Sequence, residues 1–161
     1  MQGTVEVLFV CLGNICRSPT AQGVFEHRLA QSELAGQVLA DSAGTHAYHI
    51  GKSPDPRARQ AALERGVDIS GQKARQVHSK DFEQYHYILA MDQSNHDDLL
   101  SICPPGARSR VLLYLEFAPG LRLREVPDPY FGGPNGFQQV LDLVELAADG
   151  LIEDIRHRLS N

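Results

Sequence analysis

VEVLFVCLGNICRSPT, residues 5–20, is an apolar run that stops at a cysteine, then a turn with a glycine and an asparagine, then an Arg-Ser-Pro where a helical pattern begins. Residues 5–10 suit a central parallel strand buried on both faces. Pro19 fits the first turn of a helix, and Ser18 fits its N-cap. A strand, a tight turn and a helix start in this order aim successive backbone N–H groups inward, and the helix adds its positive end. The stretch reads as a phosphate-binding loop near the N-terminus, a bowl for a tetrahedral dianion with a thiol at its floor.

Each residue type has a chemical reason to be there. Cys11 is the candidate nucleophile, because a helix N-terminus and a nearby Arg lower a cysteine pKa from ~8.5 toward ~3.5–7.5. Arg17 offers a planar fork that engages two phosphate oxygens at once, which lysine cannot do. Gly13 permits a positive φ and close backbone approach, and Asn14 is one of the few other residues that tolerate the left-handed region. Ser18 either caps the helix or donates to the Cys11 sulfur.

Outward from this stretch, strands and helices alternate. Residues 38–40, 86–91 and 110–114 read as three further strands. Helical patterns run from Pro19 to about residue 35, from Asp55-Pro56 to Gly66, from Asp92–Asn95 to residue 104, and from 137 to 159, with a short turn at 79–82. The helix after Pro56 is polar and is expected on the surface. Residues 45–56 and 121–135 look irregular. This alternation gives an α/β fold, a parallel sheet with helices on both faces in three layers, whose ligands bind at the carboxyl ends of the strands. No repeat, low-complexity tract or linker interrupts the chain, so residues 1–161 read as one domain.

Composition narrows the function. The chain has 161 residues, 42% hydrophobic and 22% charged, as in ordinary globular proteins. A net charge of −5 argues against a nucleic-acid partner. No apolar run approaches a membrane span, and the start MQGTVEV lacks the pattern of a signal peptide. Three cysteines, one of them at a reactive position, point to a reducing cytoplasm. The seven histidines include no set at zinc-ligand spacing, and there is no Walker-type loop, so no metal and no nucleotide cofactor is expected. Cys103, at the end of an apolar helix face, is expected to be a buried structural thiol.

A second constellation lies far along the chain. Phosphoryl transfer to Cys11 expels an oxygen that leaves poorly unless an acid protonates it. Asp128, in Val-Pro-Asp-Pro-Tyr-Phe-Gly-Gly, is held by two prolines in an extended or turn geometry. On its own it reads as a turn residue. Beside a Cys-x5-Arg-Ser loop it becomes the candidate general acid.

Residues 11–19, CLGNICRSP, together with Asp128-Pro129-Tyr130, DSAGT at 41–45 and MDQSN at 91–95, resemble the low-molecular-weight protein tyrosine phosphatases. The match covers essentially the whole chain. It implies a four-stranded parallel sheet and a two-step, metal-independent hydrolysis of phosphotyrosine or small aryl phosphates through a phosphocysteine. Cys11 would be the nucleophile, Arg17 the transition-state stabiliser and Asp128 the general acid and then base. Leu12, Gly13, Asn14, Ile15, Cys16 and Ser18 would hold the phosphate. Asn14, Ser18 and Ser42 would brace the loop, and Tyr48, Ile15 and Tyr130 would wall the mouth. The family's threonine at the place of Ile15 goes with phosphoarginine, so isoleucine leans toward phosphotyrosine.

The resemblance also implies a reversible disulfide between Cys11 and Cys16, and it makes Tyr130 a candidate phosphorylation site. Gln72 stands where many bacterial members carry a histidine tied to the loop asparagine. It can still hydrogen-bond but cannot titrate. The implied partners are tyrosine-phosphorylated proteins, with a bacterial tyrosine autokinase as one candidate. Two other readings share the scaffold. An arsenate reductase needs two further thiols near residues 80–90, which this chain lacks. A phosphocysteine carrier would not need Asp128.

Overall fold

The structure, a computed structural model, describes residues 4–129, 133 and 135–160. Strand β1 (Val5–Cys11) lies inside a four-stranded sheet with β2 (Val38–Gly44), β3 (Tyr87–Ala90) and β4 (Val111–Leu113), in the order β2-β1-β3-β4. All pairings are parallel: Cys11 faces Gly44, Val10 faces Ala90, and Ile88 faces Val111. Helices cover both faces, so the chain is a single three-layer α/β domain.

The alternation of side chains along β1 divides the core in two. Val5, Val7, Phe9 and Cys11 point into a cluster with α1 (Arg17–Ala30), α2 (Pro56–Leu63) and α5 (Gly136–Ser160). Leu8 and Val10 point the other way, toward Phe82 of α3 (Asp81–Gln84), Leu99 of α4 (Gln93–Ile102) and Ala107 of a 3-10 turn. Phe9 sits between Phe25 of α1 and Tyr114, with ring centroids 5.6 and 5.0 Å away. α5 buries Val140, Leu141, Val144, Ala148, Leu151 and Ile155, the helical spacing of a single face. Gly150 is needed there, since a Cβ at this position would lie 1.7 Å from the Phe117 carbonyl oxygen.

From β1 the chain enters α1 on one face, and from β3 it enters α4 on the other. The crevice between the carboxyl ends of β1 and β3 is therefore the switch point where a ligand site forms.

Local details depart from the sequence reading. α1 begins at Arg17 with Cys16 at its N-cap, not Ser18. The Ser18 hydroxyl is engaged elsewhere, and Thr20 closes the first turn by donating to the Cys16 carbonyl at 2.7 Å. α1 ends at Ala30, and turns fill the residues up to β2. β2 continues to Gly44, because its pairing with β1 carries polar Asp41 and Ser42 along the ladder. α2 is not simply a surface helix. Ala58, Ala61 and Ala62 are buried, a face too small in volume to stand out as apolar. Cys103 is only half-buried and donates to the Pro104 carbonyl at 3.3 Å.

Candidate active site

The loop after β1 is braced from beneath by side chains whose donor directions can be followed one by one. The Asn14 Oδ1 accepts from the Arg75 N–H at 3.0 Å, so its Nδ2 is the donor side. That nitrogen donates to Ser18 Oγ at 2.8 Å and to Ser42 Oγ at 2.9 Å. Ser42 passes its own proton to Gln72 Oε1 at 3.3 Å, and Gln72 Nε2 donates to the Pro19 carbonyl at 3.0 Å. The Ser18 oxygen is thus already an acceptor, which leaves its hydroxyl proton for the Cys11 sulfur, 3.0 Å away. The direction suits a negatively charged sulfur. Gln72 joins this network through Ser42 and Pro19, not through a bond to Asn14.

Asn14 holds φ = 59° and is 2% exposed. A buried non-glycine residue in the left-handed region costs about 1–2 kcal/mol, which its three side-chain hydrogen bonds offset. Gly13 is not in that region. It is needed for space, because a Cβ would come 2.8 Å from the His49 ring.

Arg17, in the first turn of α1, is 4% exposed. Its Nη1 donates to Asp92 Oδ2 at 2.6 Å and to the Val126 carbonyl at 3.0 Å. Burial alone would lower its pKa, but the Cys11 sulfur and the Asp92 carboxylate outweigh burial and raise it above the usual arginine value. Asp92 does double duty: its Oδ1 caps α4 by accepting from Asn95 N at 2.8 Å, which fixes the carboxylate that holds Arg17.

Val126 links the distant acidic loop to this floor. It is buried, its N–H donates to the Met91 carbonyl at 2.8 Å, and its carbonyl takes the Arg17 bond. Two residues on, Asp128 is exposed and reaches the same cavity as Cys11 and Arg17. On its far side Pro129 packs on Gly136 at the start of α5, where a Cβ would sit 3.2 Å from the Pro129 oxygen.

The cavity holds about 220 Å³, and its walls include Leu12, Gly13, Ile15, Cys16, Tyr48 and His49. Tyr48 is 68% exposed and stacks flat on His46, with centroids 5.2 Å apart and planes 9° apart. Burial, with Asp55 next, pushes the Cys16 thiol up to about 12, so it stays protonated beside Cys11. The structure thus brings Cys11, Leu12, Gly13, Ile15, Cys16, Arg17, Tyr48 and Asp128 to one cavity. The Asn14, Ser18 and Ser42 side chains lie behind it, and Tyr130 falls outside the described residues.

A cysteine at the end of β1 and an arginine at the start of α1, with five residues between them and an aspartate lining the cavity they share, agree with what comparison finds. Residues 6–161 match the family described as low molecular weight phosphotyrosine protein phosphatase. The chain belongs to that family. It is thereby one of a family of hydrolases. A low molecular weight protein-tyrosine-phosphatase of Bacillus subtilis is 37% identical, over 94% of this chain and 96% of its own length. The crystal structure of a protein tyrosine phosphatase from Entamoeba histolytica, with Hepes in its active site, superposes with a TM-score of 0.92 at 39% identity, covering 96% and 98% of the two chains. Vibrio vulnificus Wzb in complex with benzylphosphonate gives 0.82 at 31% identity, covering 94% and 99%.

Several members of the site are not evident from sequence. Asp92 and Val126 meet Arg17 from 75 and 109 residues away. For Asp92 a signal exists: an acidic residue directly after a strand that neighbours β1 must sit at the switch point. His49, to which the sequence assigns no role, lines the cavity and packs on Gly13. Among the described residues no group of three or more His, Cys, Asp or Glu side chains could hold a metal ion, and no helix is long and apolar enough to cross a membrane.

Proposed function

We propose that the chain hydrolyses phosphotyrosine and small aryl phosphates through a phosphocysteine. The supporting observation is the convergence of Cys11, Arg17 and Asp128 on one cavity of about 220 Å³. In the first step the Cys11 thiolate attacks phosphorus, the P–O bond to the phenol breaks, and Asp128 gives its proton to the departing oxygen. In the second step water attacks the thiophosphate, the Asp128 carboxylate takes the water's proton, and the S–P bond breaks to release phosphate. The Ser18 hydroxyl stabilises the sulfur when it leaves as an anion.

Arg17 and the loop amides of residues 12–18 hold the equatorial oxygens, where charge builds in the transition state. Among the described residues both Arg17 bonds use Nη1, which leaves the Nε and Nη2 donors for two oxygens at once. The positive field comes from these groups and not from a metal ion. Tyr48 and Ile15 flank the aromatic ring, which favours aryl over small alkyl esters. The benzylphosphonate bound by the Vibrio vulnificus relative has this same pairing of an aryl group and a phosphorus dianion. Tyrosine-phosphorylated proteins are the substrates, a tyrosine autokinase among the candidates for a substrate-trapping pull-down with Cys11→Ser. Peroxide oxidises Cys11 and Cys16 to a disulfide with release of water. Inactivation is therefore reversed by thiol in the parent and less completely in Cys16→Ser.

Hydrolysis of p-nitrophenyl phosphate tests the reading. Turnover lost in Cys11→Ser and strongly reduced in Asp128→Asn supports it. Stable phosphorylation without turnover would mark a carrier, and thiol-dependent arsenate turnover without ester hydrolysis would mark a reductase.

A further inference from the structure

Five arginines of the described surface, Arg28, Arg57, Arg65, Arg75 and Arg156, are each held by carboxylates. Arg122 and Arg124 flank Leu123 on one groove and have no such carboxylate. Both are exposed, and among the described residues neither has a hydrogen-bond or ion-pair partner. With Leu123, 46% exposed, they line a groove of about 530 Å³ that extends to Pro127 and Gln139. Pro127 and Gln139 also line a second depression, which includes Asp128. Asp128 in turn lines the cavity above Cys11. Shared lining residues thus link the groove, through the depression that includes the candidate acid, to the cavity above Cys11. The one carboxylate in the groove, Glu125, is engaged by the Gln93 N–H at 2.8 Å.

We infer that this groove receives acidic residues flanking the phosphotyrosine of a protein substrate. The inference rests on the phosphotyrosine phosphatase reading and deepens it by naming a substrate class. The chain carries a net charge of −5, so an acidic segment is repelled by the molecule as a whole. Within the groove two arginines stand against the single carboxylate of Glu125, which reverses that sign locally. They steer and hold an acidic flank where a neutral flank gains nothing. Small aryl phosphates end at the mouth and do not reach the groove.

The test compares phosphotyrosine peptides with acidic or neutral residues before and after the phosphotyrosine, alongside p-nitrophenyl phosphate, in the parent and in Arg122→Gln/Arg124→Gln. The parent favours acidic peptides in kcat/KM, and added salt erodes the preference. The double variant loses about fivefold on acidic peptides, the scale of two exposed charge contacts, and keeps its rate on neutral peptides and p-nitrophenyl phosphate. A parent with no preference, or a preference unchanged in the variant, overturns the inference alone. A parent that turns over neither ester nor peptide overturns the phosphatase reading and this inference with it.

Discussion

The floor and the rim of the cavity are built by opposite rules. At the floor, Asn14, Arg17, Ser18 and Ser42 are buried, Asn14 being tied to Ser18, Ser42 and Arg75, Ser42 to Gln72, and Arg17 to Asp92 and Val126 by side-chain hydrogen bonds. At the rim, Leu12, Tyr48 and Asp128 are exposed, and Tyr48 is backed by a single stacked ring. A phosphate dianion has one shape, so its seat gains from donors fixed in advance, with no reorganisation during reaction. Protein substrates vary around the phosphotyrosine, so a rim with few restraints loses little by being exposed. Substitutions at the floor should therefore cost rate and stability together, and substitutions at the rim should cost rate alone.

Among the residues around Cys11, the largest effect is expected from Arg17→Lys. It keeps the charge but loses the fork and the shared grip of Asp92 and Val126, and kcat on aryl phosphates should fall about 10³-fold. Asp92→Asn probes the same guanidinium from outside. It preserves the α4 cap, so a fall in kcat of about tenfold with a smaller stability loss than Asp92→Ala separates holding Arg17 from capping, a cap being worth about 1 kcal/mol. An Arg17→Lys variant with near-parent kcat would break the distinction between floor and rim.

Asp128→Asn comes next. Loss of a general acid should cost about 10²-fold in kcat on phosphotyrosine, and less on p-nitrophenyl phosphate, whose leaving group needs less protonation. Its melting temperature should move less than that of Arg17→Lys, as a position exposed at the rim requires. Asn14→Ala sharpens the contrast. It keeps the left-handed φ without the hydrogen bonds that offset it, and should destabilise the fold by about 3 kcal/mol in denaturant titration. Tyr48→Ala should raise KM for aryl phosphates several-fold and move stability by less than about 0.5 kcal/mol.

A further effect concerns pH and leaves activity aside. Cys16 is held protonated, with its pKa raised to about 12 in the folded chain. A raised value means that the folded state keeps a proton the unfolded chain gives up, so the stability it contributes is whole below the ordinary thiol pKa. It is lost as pH climbs from that value toward 12. Thermal melts of Cys16→Ala should lose less stability over that alkaline window than melts of the parent.

How much of this could be read in the chain follows from the distances involved. β1, the loop and the start of α1 are contiguous, so an apolar run and a Cys-x5-Arg spacing were enough to expose them. Asp128 could be read only because its prolines and its chemistry pointed back to that loop. Asp92 and Val126 could not be tied to Arg17, since the sheet order that places β3 beside β1 is a tertiary fact. The buried face of α2 is made of alanines, which carry little hydrophobic signal. Of the two roles the sequence allows Ser18, helix cap or partner of the Cys11 sulfur, the structure takes the second, and the N-cap position falls to Cys16.

The account stands on transfer of the phosphoryl group to the Cys11 sulfur. Rapid acid quench during turnover of an aryl phosphate, followed by mass spectrometry of the peptide spanning residues 11–17, tests it directly. The account predicts a phosphoryl group on Cys11 in the parent and none on this peptide in Cys11→Ser. Steady turnover without any phosphorylated Cys11, or turnover that survives in Cys11→Ser, would contradict it.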